Sequence, residues 1–361
     1  MCNKRIRNGI LVIMTVLLLL SGCQKRDNHD ENVVDDVPEE KTENDGQETP
    51  EETKYKIFVE VLDEGDIISY ASQDHYRYGP SIIKYDDGSY DAWFSSPGNS
   101  GSQWDWIRYR HSDDGIYWSK EEVVLKPTPG SADQCSVCDP GVIYYDGYYY
   151  LAYTGTDYYA GQGTYNSAFV ARSRYPDGPY EKWNGSGWGG DPQPIIKYEG
   201  DPAAWGYGEV SMVIQGDDLF IYYSHYDFDA YCTRLCKADL VDNWPMTIRD
   251  KGVVLFKDTQ DSVDVVYDEN LETFLGFSID RRMTVDSKLI MYSSPNGKDF
   301  EKEDSTKELI RDYSHNIGVA KSVEGHINSE QELLIGYAYG ENWGKWNAIF
   351  QHVQLKRERI Q

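Results

Sequence analysis

One pattern, repeated five times, limits what this chain can become. It consists of a short lead-in, an apolar strand, a tight turn, a second strand, then a third strand running into a further turn and an aromatic residue. Residues 138–154, CDPGVIYYDGYYYLAYT, show it most cleanly. Two β-branched or aromatic runs joined by Asp146-Gly147 read as a hairpin. Asp139-Pro140 stands just ahead of the first run, where proline removes no ladder hydrogen bond. The first copy runs from Tyr78-Gly79-Pro80 to Trp118, and the second from Asp139 to Trp183. The third runs from Gly208 to Trp244, the fourth from Ser262 to Phe300, and the fifth begins at His315 and passes through WNAIFQHVQL. Lead-ins near 79, 139, 209, 264 and 315 are 60, 70, 55 and 51 residues apart. A period near 50 with about four strands per unit is that of a β-propeller. The expected fold is all-β, a five-bladed β-propeller over residues 55–361, with a strand from residues 55–68 closing the ring. The 30 tyrosines favour strands, and no long helical period competes. A β-sandwich would lack the recurrent turn and aromatic ending.

The chain ahead of the propeller reads differently. Lys4, Arg5 and Arg7 precede an apolar run over residues 10–20, too short to span a bilayer and laid out as a secretory signal. It ends in Leu20-Ser21-Gly22-Cys23, which resembles the lipobox of bacterial lipoproteins. That likeness implies removal of residues 1–22 and lipidation of Cys23, hence an extracytoplasmic protein held to a bacterial membrane by its lipid anchor alone. Residues 24–54 hold twelve acids against four bases and no apolar periodicity, so residues 23–54 are expected to form an extended acidic tether. The whole chain has a formal charge of −26, of which −21 falls beyond the tether. Such a surplus argues against nucleic acid and anionic polymers as partners. A monomer is expected.

Four cysteines remain in the mature fold. Cys135 and Cys138 have C-x2-C spacing, Cys232 and Cys236 C-x3-C spacing. Zinc would need all four to converge; outside the cytoplasm, disulfides or buried thiols are the expected states.

Inner strands of a propeller line a central channel, so residues at their equivalent ends gather round one mouth. The aligned lead-ins place Gly79, Asp139, Glu209, Asp264 and His315 there, to within a residue or two. Two facing carboxyls are what glycoside hydrolysis needs, one protonated to assist the leaving oxygen and the other ionised as base or nucleophile.

Blades opened by Asp139-Pro140-Gly141-Val142 and Gly208-Glu209-Val210-Ser211, with Ala171-Arg172-Ser173 and the ending Gly178-Pro179-Tyr180-Glu181-Lys182-Trp183, resemble the superfamily of glycoside hydrolase family 43 and its invertase relatives. The likeness covers about residues 75–355. It implies hydrolysis of a glycosidic bond in a carbohydrate substrate, with Glu209 as general acid and Asp139 holding the sugar or tuning the acid. Where the family carries the blade-1 aspartate that serves as base or nucleophile, this chain has Gly79. Asp74, His75 or Asp264 would have to replace it, or the site binds glycan without cleaving it. No cofactor is implied to be required. A blade-5 histidine binds a central metal ion in some arabinan-degrading relatives, so His315 is the candidate ligand of a central calcium or sodium ion; a histidine bonded to a neighbouring carbonyl is the alternative. Trp104 and Trp106, in a glycine-rich loop, are candidates to stack on a sugar. Trp188 and Asp191, on one long loop, are similar candidates; Arg77 and Arg108 are candidates to hold a carboxylate or hydroxyls, or to pair with the surplus acids, and His75 is a further substrate-binding candidate. Trp118, Trp183 and Trp244 recur at blade ends and are expected to pack. A propeller phosphorylase would need a cluster of Arg, Lys or His in the mouth.

Overall fold

The computed structural model describes residues 55–69, 76–99, 103–158, 165–227, 230–257, 260–303 and 310–359. Cys23, the acidic tether, Asp74 and His75 lie outside the described residues. The described ones are strands and turns, with two short 3-10 turns at Trp244–Thr247 and Trp343–Lys345.

The five expected blades are present. Their innermost strands are Tyr78–Lys84, Ser136–Tyr145, Gly206–Gln215, Asp264–Asp268 and Ser314–Lys321, and each pairs antiparallel with the strand that follows in its blade. Every inner strand contacts its two neighbours, so the ring closes. The fifth meets the first through a short parallel pairing, Ala320 with Ile82 and Lys321 with Ile83. Closure is completed at the rim. Tyr55–Val61 supplies the outer strand of the last blade, pairing antiparallel with Asn347–Arg359 from Tyr55↔Arg359 to Val61↔Val353. This is the closing strand expected from residues 55–68. The Asp146-Gly147 hairpin takes φ of 46° and 81°, the two left-handed residues of a type I′ turn.

Apolar side chains fill the spaces between blades. Ile83, Trp93, Val142, Leu151 and Phe169 pack the first blade on the second; Tyr150, Val210, Met212 and Ile221 pack the second on the third. Trp183 and Trp244 belong to that second cluster, and Trp118 meets Phe350 edge-on at 4.9 Å, so the recurrent tryptophans are packing residues. Cys135, Cys138, Cys232 and Cys236 are all buried free thiols. The last two share one strand, Ala230–Asp239, where four residues of separation hold them roughly 13 Å apart, beyond disulfide reach.

Four of the inner strands break register at the lead-in. The jump lies between Tyr78 and Ser81, Cys138 and Gly141, Gly208 and Ser211, and His315 and Gly318. The first residue inside each bulge is left-handed: Gly79 at φ 59°, Asp139 at 48°, Glu209 at 52° and Asn316 at 50°. Two residues beyond, the strand meets the next blade: Val142 N–H donates to Ser81 Oγ (3.0 Å), Val265 N–H to Ser211 Oγ (2.9 Å) and Val319 N–H to Asp264 Oδ2 (2.8 Å). This spacing corrects the sequence alignment twice. The blade-5 lead-in residue is Asn316 rather than His315, and the blade-4 one is Ser262 rather than Asp264.

Asp264 is therefore an inter-blade anchor and no candidate for the missing base. Besides Val319 it accepts from Ser211 Oγ (2.7 Å) and from the buried Lys321 ammonium (2.6 Å). Glycine takes the anchor position where backbones touch. A Cβ on Gly318 would lie 1.9 Å from the Pro80 carbonyl oxygen. Gly318→Ala is expected to prise the fifth blade from the first and cost about 1–3 kcal/mol, read as a lowered urea midpoint; an unchanged midpoint would show that the blades can slide apart freely.

Candidate active site at the mouth of the ring

The lead-in bulges border a cavity of about 710 Å³. An ordinary strand would point successive side chains to opposite faces. The left-handed residue re-aims its side chain, and a bulge is a recognised way of doing so beside a site. For Asp139, Glu209 and Asn316 the conformation costs on the order of 1–3 kcal/mol each, strain that accumulates where function requires it. The preceding blade holds each bulge in place. Ser95 Oγ accepts from Asp139 N–H and Thr154 Oγ1 from Glu209 N–H, both at 2.8 Å; Asp261 Oδ2 accepts from Asn316 N–H at 2.5 Å.

Glu209 is half-buried in the wall and accepts from Asn316 Nδ2 at 3.0 Å. Burial, and after it the negative charge of Asp261, raises its pKa, while Lys257 and Arg282 oppose the rise. Asp139 is held well above the carboxylate range by burial and then by the charge of Glu209. Its Oδ1 is buried and makes no hydrogen bond among the described residues. The two carboxyls thus form a coupled pair that resists carrying two charges. Gly79 belongs to the same arrangement, since a Cβ there would come within 2.9 Å of Asp139 Oδ1. The blade-1 carboxylate is absent where Asp139 already fills the space.

A third carboxyl comes from an unexpected place. Asp105 opens the strand Asp105–Ser112, lines the cavity, and accepts from Tyr76 Oη (2.5 Å) and Ser136 Oγ (2.7 Å). Burial pushes it up to about 6. The signal lay in the alternation: Asp105, Ile107 and Tyr109 share the buried side of that strand, an odd place for an aspartate. Asp261, at the position that Cys138 and His315 hold in their blades, is fully buried. Burial works to raise its pKa, but the Arg282 guanidinium, whose Nη1 donates to it at 2.5 Å, holds it below the ordinary range.

Of the other sequence candidates, Trp104 and His315 line the cavity. Three do not. Arg77 is buried in a two-pronged pair with Glu121 at 2.8 and 3.2 Å, which Arg108 approaches at 3.8 Å. Trp106 donates to Gln103 and lies under Lys126. Asp191 sits exposed on its loop outside the cavity, and Trp188 of that loop packs on Trp183 and Tyr150. Arginines and aromatics of this kind were more numerous than the cavity could use, and residue type alone did not sort them.

His315 is fully buried beside the Trp346 ring, 4.0 Å between centroids; among the described residues neither ring nitrogen makes a well-formed hydrogen bond, the Tyr313 backbone acting on it only weakly. Among the described residues no group of three or more His, Cys, Asp or Glu is placed to hold a metal ion. Burial lowers its pKa to about 4. A histidine whose folded pKa lies below its unfolded value contributes stability that is present above about pH 6.5 and is lost as pH falls through about 4, here about 3 kcal/mol. His315→Gln should flatten that part of the profile: the wild-type minus variant difference in urea stability is expected to shrink between pH 7 and 4. A difference constant with pH would mean that His315 titrates normally.

No protein-family model matches the sequence, and no curated protein matches it. Solved structures do match the fold. A family 117 glycoside hydrolase of the marine bacterium Zobellia galactanivorans aligns over 83% of this chain and 90% of its own, at 16% identity and TM-score 0.58. An endo-arabinase from Bacteroides thetaiotaomicron aligns over 80% and 97%, at 16% identity and TM-score 0.53. The α-L-arabinofuranosidase PaAbf62A from Podospora anserina, solved with cellotriose, aligns over 83% and 97%, at 10% identity and TM-score 0.54.

Proposed function

We propose that this chain is a glycoside hydrolase acting on plant or microbial oligo- or polysaccharides, as its structural relatives are on theirs. The observation that carries the reading is the coupled pair Asp139–Glu209, placed by strained bulges of adjacent blades at one cavity. Glu209 is the general acid. Burial and the charge of Asp261 favour its protonated form, and because the pair with Asp139 resists two charges, one proton stays available for the departing glycosidic oxygen. Asp105, ionised above about pH 6, is the carboxylate left to activate water. Trp343, Trp346, Trp205 and Tyr226 offer apolar faces to sugar rings along the walls. The lipobox at Cys23 and the acidic tether suit an enzyme held outside the membrane, where such polymers are met.

Gly79 favours a second reading, a glycan-binding lipoprotein that has lost its base. Product release from a panel of aryl glycosides and arabino- and xylo-oligosaccharides separates the two. Turnover supports the hydrolase; saturable binding of a glycan without turnover overturns it in favour of the binding protein.

A further inference from the structure

Beyond moderating the pKa of Glu209, the cations of the mouth have no part in the proposed hydrolysis. Arg281 and Arg282 follow the strand Thr273–Asp280 in a turn where Arg281 and Met283 are left-handed, at φ 51° and 57°. That turn sets two consecutive side chains against the same cavity, which an extended strand would not do. It is firmly held. The Arg281 carbonyl accepts from Thr284 Oγ1 (2.8 Å) and Ser287 Oγ (3.0 Å), and Tyr313 N–H donates to the Thr284 carbonyl (2.7 Å). Two strained residues in a well-anchored turn mark a geometry kept for a purpose.

The two guanidiniums are not used up by their neighbours. Arg282 is oriented through Nη1 by Asp261, while its Nη2 meets the Met283 thioether at 3.9 Å, a weak acceptor, and 40% of the side chain stays exposed. Arg281 has Asp286 at 3.7 Å with both groups more than half exposed, a pairing of little energetic weight. Beside them the buried Tyr231 hydroxyl faces the Arg282 guanidinium, and among the described residues its own proton is donated to no acceptor. Lys257 lies 5.1 Å from the Tyr231 ring centroid and donates to Ser224 Oγ, so a third cation backs the same wall. A chain of net charge −26 that sets two arginines against its cavity, with a lysine behind them and a phenol proton directed to no acceptor among the described residues, is arranged for an anionic oxygen group.

We propose that Arg281, Arg282 and Tyr231 form a subsite for the carboxylate of an acidic sugar, so that the preferred ligand carries a uronate next to the bond at Glu209. The sugar part of this assignment rests on the glycosidase reading; the anion part rests on the wall itself. The acid surplus of the chain does not forbid it, because at physiological salt charges beyond about 8 Å are largely screened, whereas the wall acts at contact. A guanidinium fork matches a carboxylate in two parallel hydrogen bonds, and the Tyr231 hydroxyl supplies a further donor.

Calorimetric titration of the intact chain tests it. The probes are xylotetraose bearing one glucuronate, digalacturonate and a sulfated galactobiose, each beside its carboxyl-reduced or desulfated counterpart, and inorganic phosphate. At least one uronate is expected to bind tenfold or more tighter than its neutral counterpart, and Arg281→Gln, at an exposed turn, should remove most of that preference while changing neutral-ligand affinity less than twofold. Equal affinity for acidic and neutral forms, no binding of either uronate, or a preference untouched by Arg281→Gln would overturn the subsite. So would tighter binding of the sulfated sugar than of the uronates, or saturable binding of inorganic phosphate that speeds bond cleavage. Because calorimetry reads binding alone, a uronate preference without hydrolysis sinks only the hydrolase reading. Hydrolysis of neutral glycans without that preference sinks only this one.

Discussion

Glu209→Gln is expected to lower kcat on unactivated oligosaccharides by roughly 10²–10⁴-fold, with KM little changed, because it removes the proton donor and leaves the shape. Glutamine still accepts from Asn316 Nδ2 and keeps its amide on Thr154. It also relieves the pair of any second charge, so thermal stability should hold or rise. The loss depends on the leaving group: a dinitrophenyl glycoside departs without protonation, so the variant should retain far more of its rate there. Asp139→Asn should act through the same proton. Without the Asp139 carboxyl the pair no longer holds back its last proton, and the alkaline limb of the rate profile is expected to move to lower pH. The acid limb follows Asp105, near pH 6, because the base must be ionised. An unchanged rate in Glu209→Gln on every substrate would remove Glu209 from the mechanism.

Lys321→Met is expected to destabilise the propeller by about 3–5 kcal/mol. That corresponds to roughly 10 °C in Tm for a domain of this size. Lys321 is almost wholly buried and meets Asp264 at 2.6 Å, in the seam that also carries the Ser211 and Val319 bonds. Without its ammonium, Asp264 is a buried carboxylate lacking its cation. Asp264→Asn in the same chain should restore much of the loss, since an amide needs no counter-charge and its oxygen can still accept from Val319. A fall of less than about 2 °C in Lys321→Met, or a double variant no better than the single one, would mean that the seam is held by the apolar contacts alone.

Much of this molecule could be read before any coordinates. Turn chemistry and strand alternation are local, so Asp146-Gly147, the blade endings at Trp183 and Trp244, the number of blades and the closing strand at Tyr55–Val61 were legible in the residues themselves. Asp139 and Glu209 were legible for the same reason, as carboxylates in lead-ins that are otherwise apolar. Asp264 and His315 were misplaced by two residues and one because a bulge adds a residue to one strand only. A one-residue slip sends a side chain to the other face, and nothing local marks where the slip occurs. Asp105, Asn316 and the pair Arg281–Arg282 reach the cavity from three separate strands or turns. Asp105 stands at a strand end far in sequence from Glu209, and the arginines depend on two left-handed residues in a turn. The sequence by itself determined the repeat and the fold, because repetition of a local unit leaves one way to bury its faces. Only the tertiary structure decided which charges meet at the mouth, because that depends on ring closure bringing together residues that no local rule relates.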